Sequence, residues 1–210
     1  MVKSIRFAAR NMSLILLLSP TILLLFSLPL LQGAYAAESF KGLPFSIEIP
    51  ETWAYTETPE PPIENVLGVT SYTSVVLVPV HFAELLIQEK SDIAMYNGSA
   101  AIVFAKASDY SVKNAPLDLY VKYRMNEDDS LNVISHQDTI VGKEKAVRID
   151  GSENDTSGKI RLLEYLLLHN NQPYVIRFIA GVNEFERYLP EFELMVKSFT
   201  FRENNTDTKS

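Results

Sequence analysis

The sequence predicts an α+β fold in which a central antiparallel β-sheet carries helices on both faces. Several strand-like segments follow one another without intervening helices, which disfavours an alternating, parallel sheet. The segment 174–180 is largely apolar on both faces, as expected for a central strand that is covered on both sides. The last element, 182–201, has apolar residues at three- and four-residue steps, which is typical of an amphipathic helix packed on a sheet.

The first strands are predicted from their apolar patterns. Residues 45–49 alternate apolar and polar side chains, which indicates a half-buried strand ending at Pro50. A second extended piece begins at Trp53. Nearly continuous apolar runs at 74–80 and 101–105 indicate two buried strands.

A proline-rich stretch separates these strands. Residues 56–66 hold Pro59, Pro61 and Pro62 among acidic residues, which excludes a helix or a central strand and predicts a surface loop. Because proline lowers the entropy lost when a loop docks, these three prolines are the candidate contact for a partner. A plain solvated connector is the alternative.

The middle of the chain predicts a helix followed by strands. Asn114 is a suitable N-cap and Pro116 fits the first turn of a helix. Strands are predicted over 131–141 and 144–149, with a turn at 141–143.

The C-terminal part predicts a turn, a strand pair and the last helix. The polar segment 150–155 indicates a turn, and strands over 160–168 and 174–180 are connected at 169–172. Pro190 lies inside the last helix and predicts a kink or a break into two segments.

The charge distribution divides the chain into a leader and a body. The net charge is −7, but residues 1–37 hold three bases and no acid, which leaves 16 bases and 26 acids in the remainder. We therefore predict a leader over 1–37, one domain over 38–202 and a polar, disordered tail over 203–210. An acidic body disfavours a general nucleic-acid surface, which needs a cationic footprint.

The leader has the organisation of a secretory signal peptide. A basic start at Lys3 precedes an apolar run over 14–31 and the small-residue exit Ala34-Tyr-Ala36. Cleavage is predicted after Ala36 or Ala37. An uncleaved membrane anchor is the alternative, because the run is about long enough to span a bilayer. In both cases the body lies outside the cytoplasmic membrane.

The body contains no cysteine and three glycosylation sequons. Without cysteine there is no disulfide framework, no thiolate zinc site and no cysteine nucleophile, so stability depends on the core. The sequons begin at Asn97, Asn154 and Asn204, and they fit an exported, surface-exposed protein.

Three segments together resemble the PsbP-like family: FKGLPFSIEIPETW, IRLLEYLLLHNNQPYVIRFIA and EFERYLPEFELMVKSFTF. In that family a first strand leads into a Pro-x-x-Trp turn, here Pro50 to Trp53. The last helix ends in a Ser-Phe pair, here Ser198-Phe199. The resemblance covers residues 40–201 and implies an α/β/α sandwich with a central antiparallel sheet, which works by docking onto partners rather than by catalysis. Nothing in the sequence indicates photosynthesis, the setting from which the family takes its name.

The histidines do not form a recognisable metal motif. His81, His136 and His169 lie too far apart in sequence for a local ligand set. They would share a metal only if the fold brought them together, and a solvated or hydrogen-bonded ring is the simpler interpretation.

One segment imitates the start of a calcium loop. Asp150, Ser152 and Asn154 have the spacing of the first ligands, but Asp155 replaces the required glycine and Arg161 the bidentate glutamate. A solvated turn is the prediction, and a loose calcium contact through the carboxylates of this segment is the alternative.

The chain carries no catalytic signature that we recognise. It has no Gly-x-Ser-x-Gly elbow and no glycine-rich phosphate loop. We therefore predict an exported, non-enzymatic module without a cofactor that docks onto a protein partner or an envelope complex. The alternatives are an extracytoplasmic small-ligand or metal-binding protein and, third, a hydrolase with an unrecognised site.

Overall fold

The computed structural model describes residues 6–7, 35–40, 43–58, 69–83, 100–110, 115–126, 131–155 and 158–202. The described residues are mostly in β-strands, with two α-helices and two antiparallel sheets among them. A short 3-10 helix spans Val80–Phe82. The elements are β1 Arg6–Phe7, β2 Tyr35–Ser39, β3 Phe45–Pro50, β4 Trp53–Thr58, β5 Val69–Pro79, β6 Ala100–Tyr110, α1 Leu117–Asn126, β7 Leu131–Val141, β8 Glu144–Asp155, β9 Gly158–His169, β10 Gln172–Gly181, α2 Val182–Ser198 and β11 Thr200–Phe201.

The main sheet has eight strands in the order β1-β4-β5-β6-β10-β9-β8-β7. Every neighbouring pair in it is antiparallel. The second sheet has three strands in the order β11-β3-β2, also antiparallel. The main sheet therefore has β7 as one edge strand, and the second sheet has β2 as one of its edges.

Two tight hairpins fix the register of the C-terminal strands. Gly142 and Lys143 connect β7 to β8 with φ angles of 55° and 73°. Asn170 and Asn171 connect β9 to β10 with φ angles of 53° and 60°. Two consecutive positive φ angles are what a two-residue hairpin needs to match the strand twist. The turns predicted at 141–143 and 169–172 are confirmed.

The larger core lies between one face of the main sheet, helix α2 and the second sheet. Twelve of its 27 buried side chains are aromatic, and many are fully buried. Phe199 is central to it: its ring packs 4.9 Å from Phe45 and 6.0 Å from Phe104, measured between ring centroids. Burial of such large apolar surfaces stabilises the layers by the hydrophobic effect.

The opposite face of the main sheet carries a second apolar cluster. It is built from aliphatic residues of the central strands, including Val103, Val147, Leu166 and Val175, and it is covered in part by Tyr120 of α1. Helix α1 has only ten residues, so it covers a limited part of this face.

The predicted α/β/α sandwich is wrong. The structure is mainly strand, and the layer that contains α2 also contains the three-stranded sheet. That sheet depends on pairing Thr200 with Ser46, which lie 154 residues apart. A contact at that separation leaves no local pattern in the sequence.

Two local predictions are also corrected. The polar segment 150–155 is not a turn but the second half of β8, paired with β9. Helix α2 continues through Pro190, so of the two predicted alternatives, a kink or a break, the break is wrong. The exposure of Pro190 leaves room for its ring on the solvent side of the helix.

Within the described ranges, neither helix combines the length and the apolar character that crossing a bilayer requires.

Candidate functional site

An open groove lies between helix α1 and the hairpin of β7 and β8. Its volume is about 1360 Å³. It is lined by residues of the helix, of both hairpin strands and of β9: Leu117, Asp118, Val121, His136, Asp138, Thr139, Ile140, Lys143, Glu144, Lys145, Ala146, Val147 and Leu168.

The floor of the groove is apolar because of strand alternation. Val147 on β8 and Leu168 on β9 belong to the aliphatic face of the main sheet. Leu117 and Val121 lie four residues apart on α1, and therefore on one face of the helix, and both pack against the same cluster. All but Val147 are only partly buried, so the floor keeps apolar surface accessible.

The rim of the groove carries both signs of charge. Lys143 and Lys145 contribute two positive charges, against the carboxylates of Asp118, Asp138 and Glu144. Such a rim suits a ligand that itself carries both kinds of charge, as a polypeptide segment does.

Strand β7 forms the outer wall of the groove and is unusually exposed. It has eleven residues, and the stretch from Ile134 to Asp138 is exposed throughout. Ile140 is 72% exposed and Ile134 is 57% exposed, the two highest values among the exposed large apolar residues of the described part. Exposed aliphatic side chains on an edge strand are a recognised signal for association.

A buried ion cluster fixes the position of α1. Glu164 on β9 is fully buried and lies directly opposite Arg177 on β10, whose Nε donates to it. Arg124 of α1 donates from Nε to Glu164 Oε2 at 2.8 Å, and from Nη2 to Glu153 Oε1 at 3.1 Å. Arg124 thereby ties the helix to two neighbouring strands, β8 and β9, and Glu164 links it to Arg177 of β10.

The charges of this cluster keep Glu164 ionised. Burial raises the pKa of Glu164, but the guanidinium groups of Arg177 and Arg124 and their hydrogen bonds outweigh it, so the pKa is lowered. The carboxylate therefore holds both arginines at neutral pH.

The three histidines lie in separate places. His81 Nε2 is 3.3 Å from the hydroxyl of Tyr188, and His136 is on β7. His169 Nδ1 is 2.8 Å from Glu144 Oε1, and its ring stacks on Phe201 at 3.7 Å between centroids. In the described ranges no three histidine or carboxylate side chains are grouped so as to hold a metal ion.

The carboxylates of the calcium-like segment are already paired. Both oxygens of Asp150 accept from Arg161 Nη2, at 3.0 and 3.1 Å. Glu153 accepts from Arg124, and Ser152 is buried. This arrangement favours an ion-pair role for the segment over calcium binding.

The other predicted positions fall in different parts of the chain. Ala36 and Ala37, the predicted cleavage position, lie in β2 opposite Ile49 and Glu48. Asn154 lies in β8 opposite Lys159. Asn97, Asn204, Pro59, Pro61 and Pro62 lie outside the described residues.

The groove itself was not predicted from the sequence. The strand at 131–141 and the helix after Pro116 were predicted, but their approach depends on Arg124, whose partners lie on other strands. One signal was present in the sequence. His136, Asp138 and Ile140 share one face of the predicted strand, where an isoleucine follows two polar residues, and in the structure Ile140 is exposed.

Comparison with known proteins gives remote structural likenesses. No protein-family model matches the chain, and no curated protein matches it. Among solved structures, cyanobacterial PsbP (CyanoP) from Synechocystis sp. PCC 6803 is similar at a TM-score of 0.49 and 10% identity, over 82% of this chain and 95% of that one. A protein of unknown function from Pseudomonas aeruginosa, PA94, gives 0.45 and 11%, over 79% and 96%.

LpqN, described as involved in cell envelope biogenesis of Mycobacterium tuberculosis, gives a TM-score of 0.39 and 9% identity, over 75% of this chain and 83% of that one. A PsbP protein is thus among the solved structures that this chain resembles. Because all three TM-scores lie below 0.5, nothing about binding or activity is carried from these proteins to this chain.

Proposed function

We propose that the chain is a non-enzymatic, extracytoplasmic docking module of the PsbP-like type that holds an extended segment of a protein partner in the groove beside α1. The observation that carries the proposal is the groove itself, with its accessible apolar floor and its rim of mixed charge. Its floor accepts apolar side chains, and its rim pairs with charges of either sign.

The size of the groove favours an extended segment over a compact ligand. Sites for small molecules enclose roughly 300–1,000 Å³ and bury most of the ligand. This groove has about 1360 Å³ and is partly open to solvent. Extended peptides bind in such grooves with alternate side chains in apolar pockets.

The PsbP-like part of the proposal is supported by the structural roles of the family-like motifs. Trp53 is 1% exposed, donates from its indole nitrogen to Glu191 and packs on Tyr188. Ser198 Oγ accepts from the backbone nitrogen of Glu48 at 2.8 Å and donates to the Met195 carbonyl at 2.7 Å. Both motifs join α2 to the strands near the N-terminus, so they serve the fold rather than a reaction.

Site-specific photo-crosslinking in the native host tests the proposal. A benzophenone side chain introduced at Val121, on the groove floor, is expected to give one discrete adduct with another protein, mapped to a continuous segment. Leu119 is the matched control, because it is on the same helix, is 44% exposed and does not line the groove. Equal adducts at both positions, or none at Val121, would contradict the proposal.

Reversal of the rim charges provides a second test without changing the floor. Lys143→Glu with Lys145→Glu removes the two positive charges of the rim at exposed positions, where folding is little affected. We expect the yield of the Val121 adduct to fall several-fold. An unchanged yield would show that the rim takes no part in docking.

A further inference from the structure

The edge strand β7 has a sequence that complements itself. In the described part of the chain, β7 pairs only with β8, so its other side is an open edge. An antiparallel partner related by a two-fold axis perpendicular to the sheet would extend the sheet and keep each side chain on its own face. Such an axis must lie midway between a residue and its own copy in the second chain. A pairing register shifted by one residue would place side chains from opposite faces of the sheet across from each other.

The axis at Gln137 gives matched pairs along the strand. It places Ile134 opposite Ile140, which are the two most exposed of the large apolar residues described above. It also places His136 opposite Asp138, so that an imidazole faces a carboxylate twice across the axis. Directly opposed pairs of these kinds are favourable in antiparallel sheets.

Neighbouring axes give poor pairs. An axis at Asp138 would place the two Asp138 carboxylates against each other, and like charges directly opposite destabilise a sheet. An axis at His136 would place Asp138 opposite Ile134. The irregularity between Val133 and Ser135 falls at Ile134, so the regular ladder around Gln137 runs from Ser135 to Thr139, and the isoleucines meet beyond its two ends.

We propose that β7 pairs with β7 of a second copy of this chain, antiparallel and centred on Gln137, so that the two main sheets join into one. An unrelated strand would have no reason to match both the isoleucines and the alternation of imidazole and carboxylate, whereas a two-fold partner matches them by symmetry. The proposal does not rest on what the groove binds, although His136, Asp138 and Ile140 both form the proposed pairs and line the groove.

Disulfide trapping tests the register, because the chain has no cysteine of its own. Gln137→Cys places two thiols on the axis, where opposed Cα atoms are about 4.5–5.5 Å apart, within disulfide range. Ser135→Cys is the matched control on the same sheet face. Its Cα atom would lie about 14 Å from its copy, at about 3.4 Å for each of four residues.

Mild oxidation of the exported protein should therefore give a covalent dimer with Gln137→Cys and at least ten-fold less with Ser135→Cys. Equal trapping of the two variants, or trapping of Ser135→Cys alone, would overturn the proposed register.

Sedimentation equilibrium tests the pairs between His136 and Asp138 of the two copies. It uses variants that carry no introduced cysteine. His136→Asp places carboxylates opposite each other and is expected to weaken the dimer at least ten-fold. His136→Asp combined with Asp138→His restores opposed pairs and should restore the dimer. A monomeric wild-type protein, or a double variant as weak as the single one, would overturn the proposal; circular dichroism verifies that each variant is folded.

Discussion

Glu164 is the residue on which the position of α1 depends most. It carries a negative charge at a site with 0% exposure, and two arginines from different elements, Arg124 and Arg177, are bound to it. Removing one member of a buried ion pair costs more than a surface pair contributes, because the remaining charge stays in the interior without compensation.

We predict that Glu164→Gln lowers the free energy of unfolding by about 3–5 kcal/mol, because the buried Arg177 loses its counter-charge and Arg124 keeps only its pair with Glu153. Urea denaturation followed by circular dichroism measures the loss. Glu193→Gln is the matched control: its pair with Arg148, at 3.9 Å, is partly exposed, and its loss is expected to cost at most about 1 kcal/mol. Equal losses in the two variants would show that the buried cluster does not anchor the helix.

The same variant has a predictable pH dependence. The folded pKa of Glu164 is lowered, so its contribution is fully present above the unfolded pKa of about 4.3 and is lost as the pH falls through the folded value. The difference in stability between wild type and Glu164→Gln should therefore be constant from pH 7 to 5 and shrink below about pH 4. A difference that is unchanged down to pH 3 would contradict this assignment.

At the scale of elements, the β7–β8 hairpin sets the rim of the groove through one glycine. Gly142 has a φ of +55°, and a Cβ atom built there would lie 2.8 Å from Cδ1 of Phe199. Any side chain at position 142 would therefore be strained. The turn packs directly against Phe199 of the aromatic core. Its geometry places Lys143, Glu144 and Lys145 beside the groove.

Gly142→Ala is expected to destabilise the protein by about 1–3 kcal/mol, from the positive φ and the collision with Phe199. Thermal unfolding measures the change. Gly181→Ala is the control, because a Cβ atom there meets nothing within 4 Å; it should be neutral or slightly stabilising. If Gly142→Ala matched the control, the turn would have to differ from the one described.

The elements that the sequence predicted well are those with strong local patterns. The strand that ends at Pro50, the helix after Pro116 and the final amphipathic helix are all present. The segment 150–155 was predicted wrongly because its charges are neutralised by distant residues: Arg161 pairs with Asp150, and Arg124 with Glu153. Isolated from these partners, the segment has the composition of a turn.

The layers and the groove were beyond sequence reasoning for a related reason. The second sheet exists because β11 returns to β3 from the far end of the chain. The groove exists because Arg124 draws α1 onto β8 and β9. Neither this strand pairing nor the ion cluster leaves a periodic pattern in the sequence from which it could be predicted.

At the scale of the whole molecule, the predicted leader over 1–37 contributes strands to both sheets. The predicted cleavage after Ala36 or Ala37 lies within β2, and β1 also lies in the leader. Both are edge strands, β1 of the main sheet and β2 of the second sheet. Cleavage there would remove β1 and the first two or three residues of β2, whereas Phe40 and Leu43 of the larger core, at 2% and 1% exposure, lie beyond the cleavage position.

We therefore predict that the exported protein begins at Ala37 or Glu38, carries a net charge near −10 and keeps its β-rich fold. Intact-mass measurement of the exported protein identifies the first residue, and far-UV circular dichroism tests the fold. Ala36→Arg puts a large charged side chain at the cleavage position, so the uncut precursor should accumulate in the membrane. Exported wild-type protein with an intact leader would instead support the anchor, and a mature form that is unfolded would show that β1 and β2 are more than edge strands.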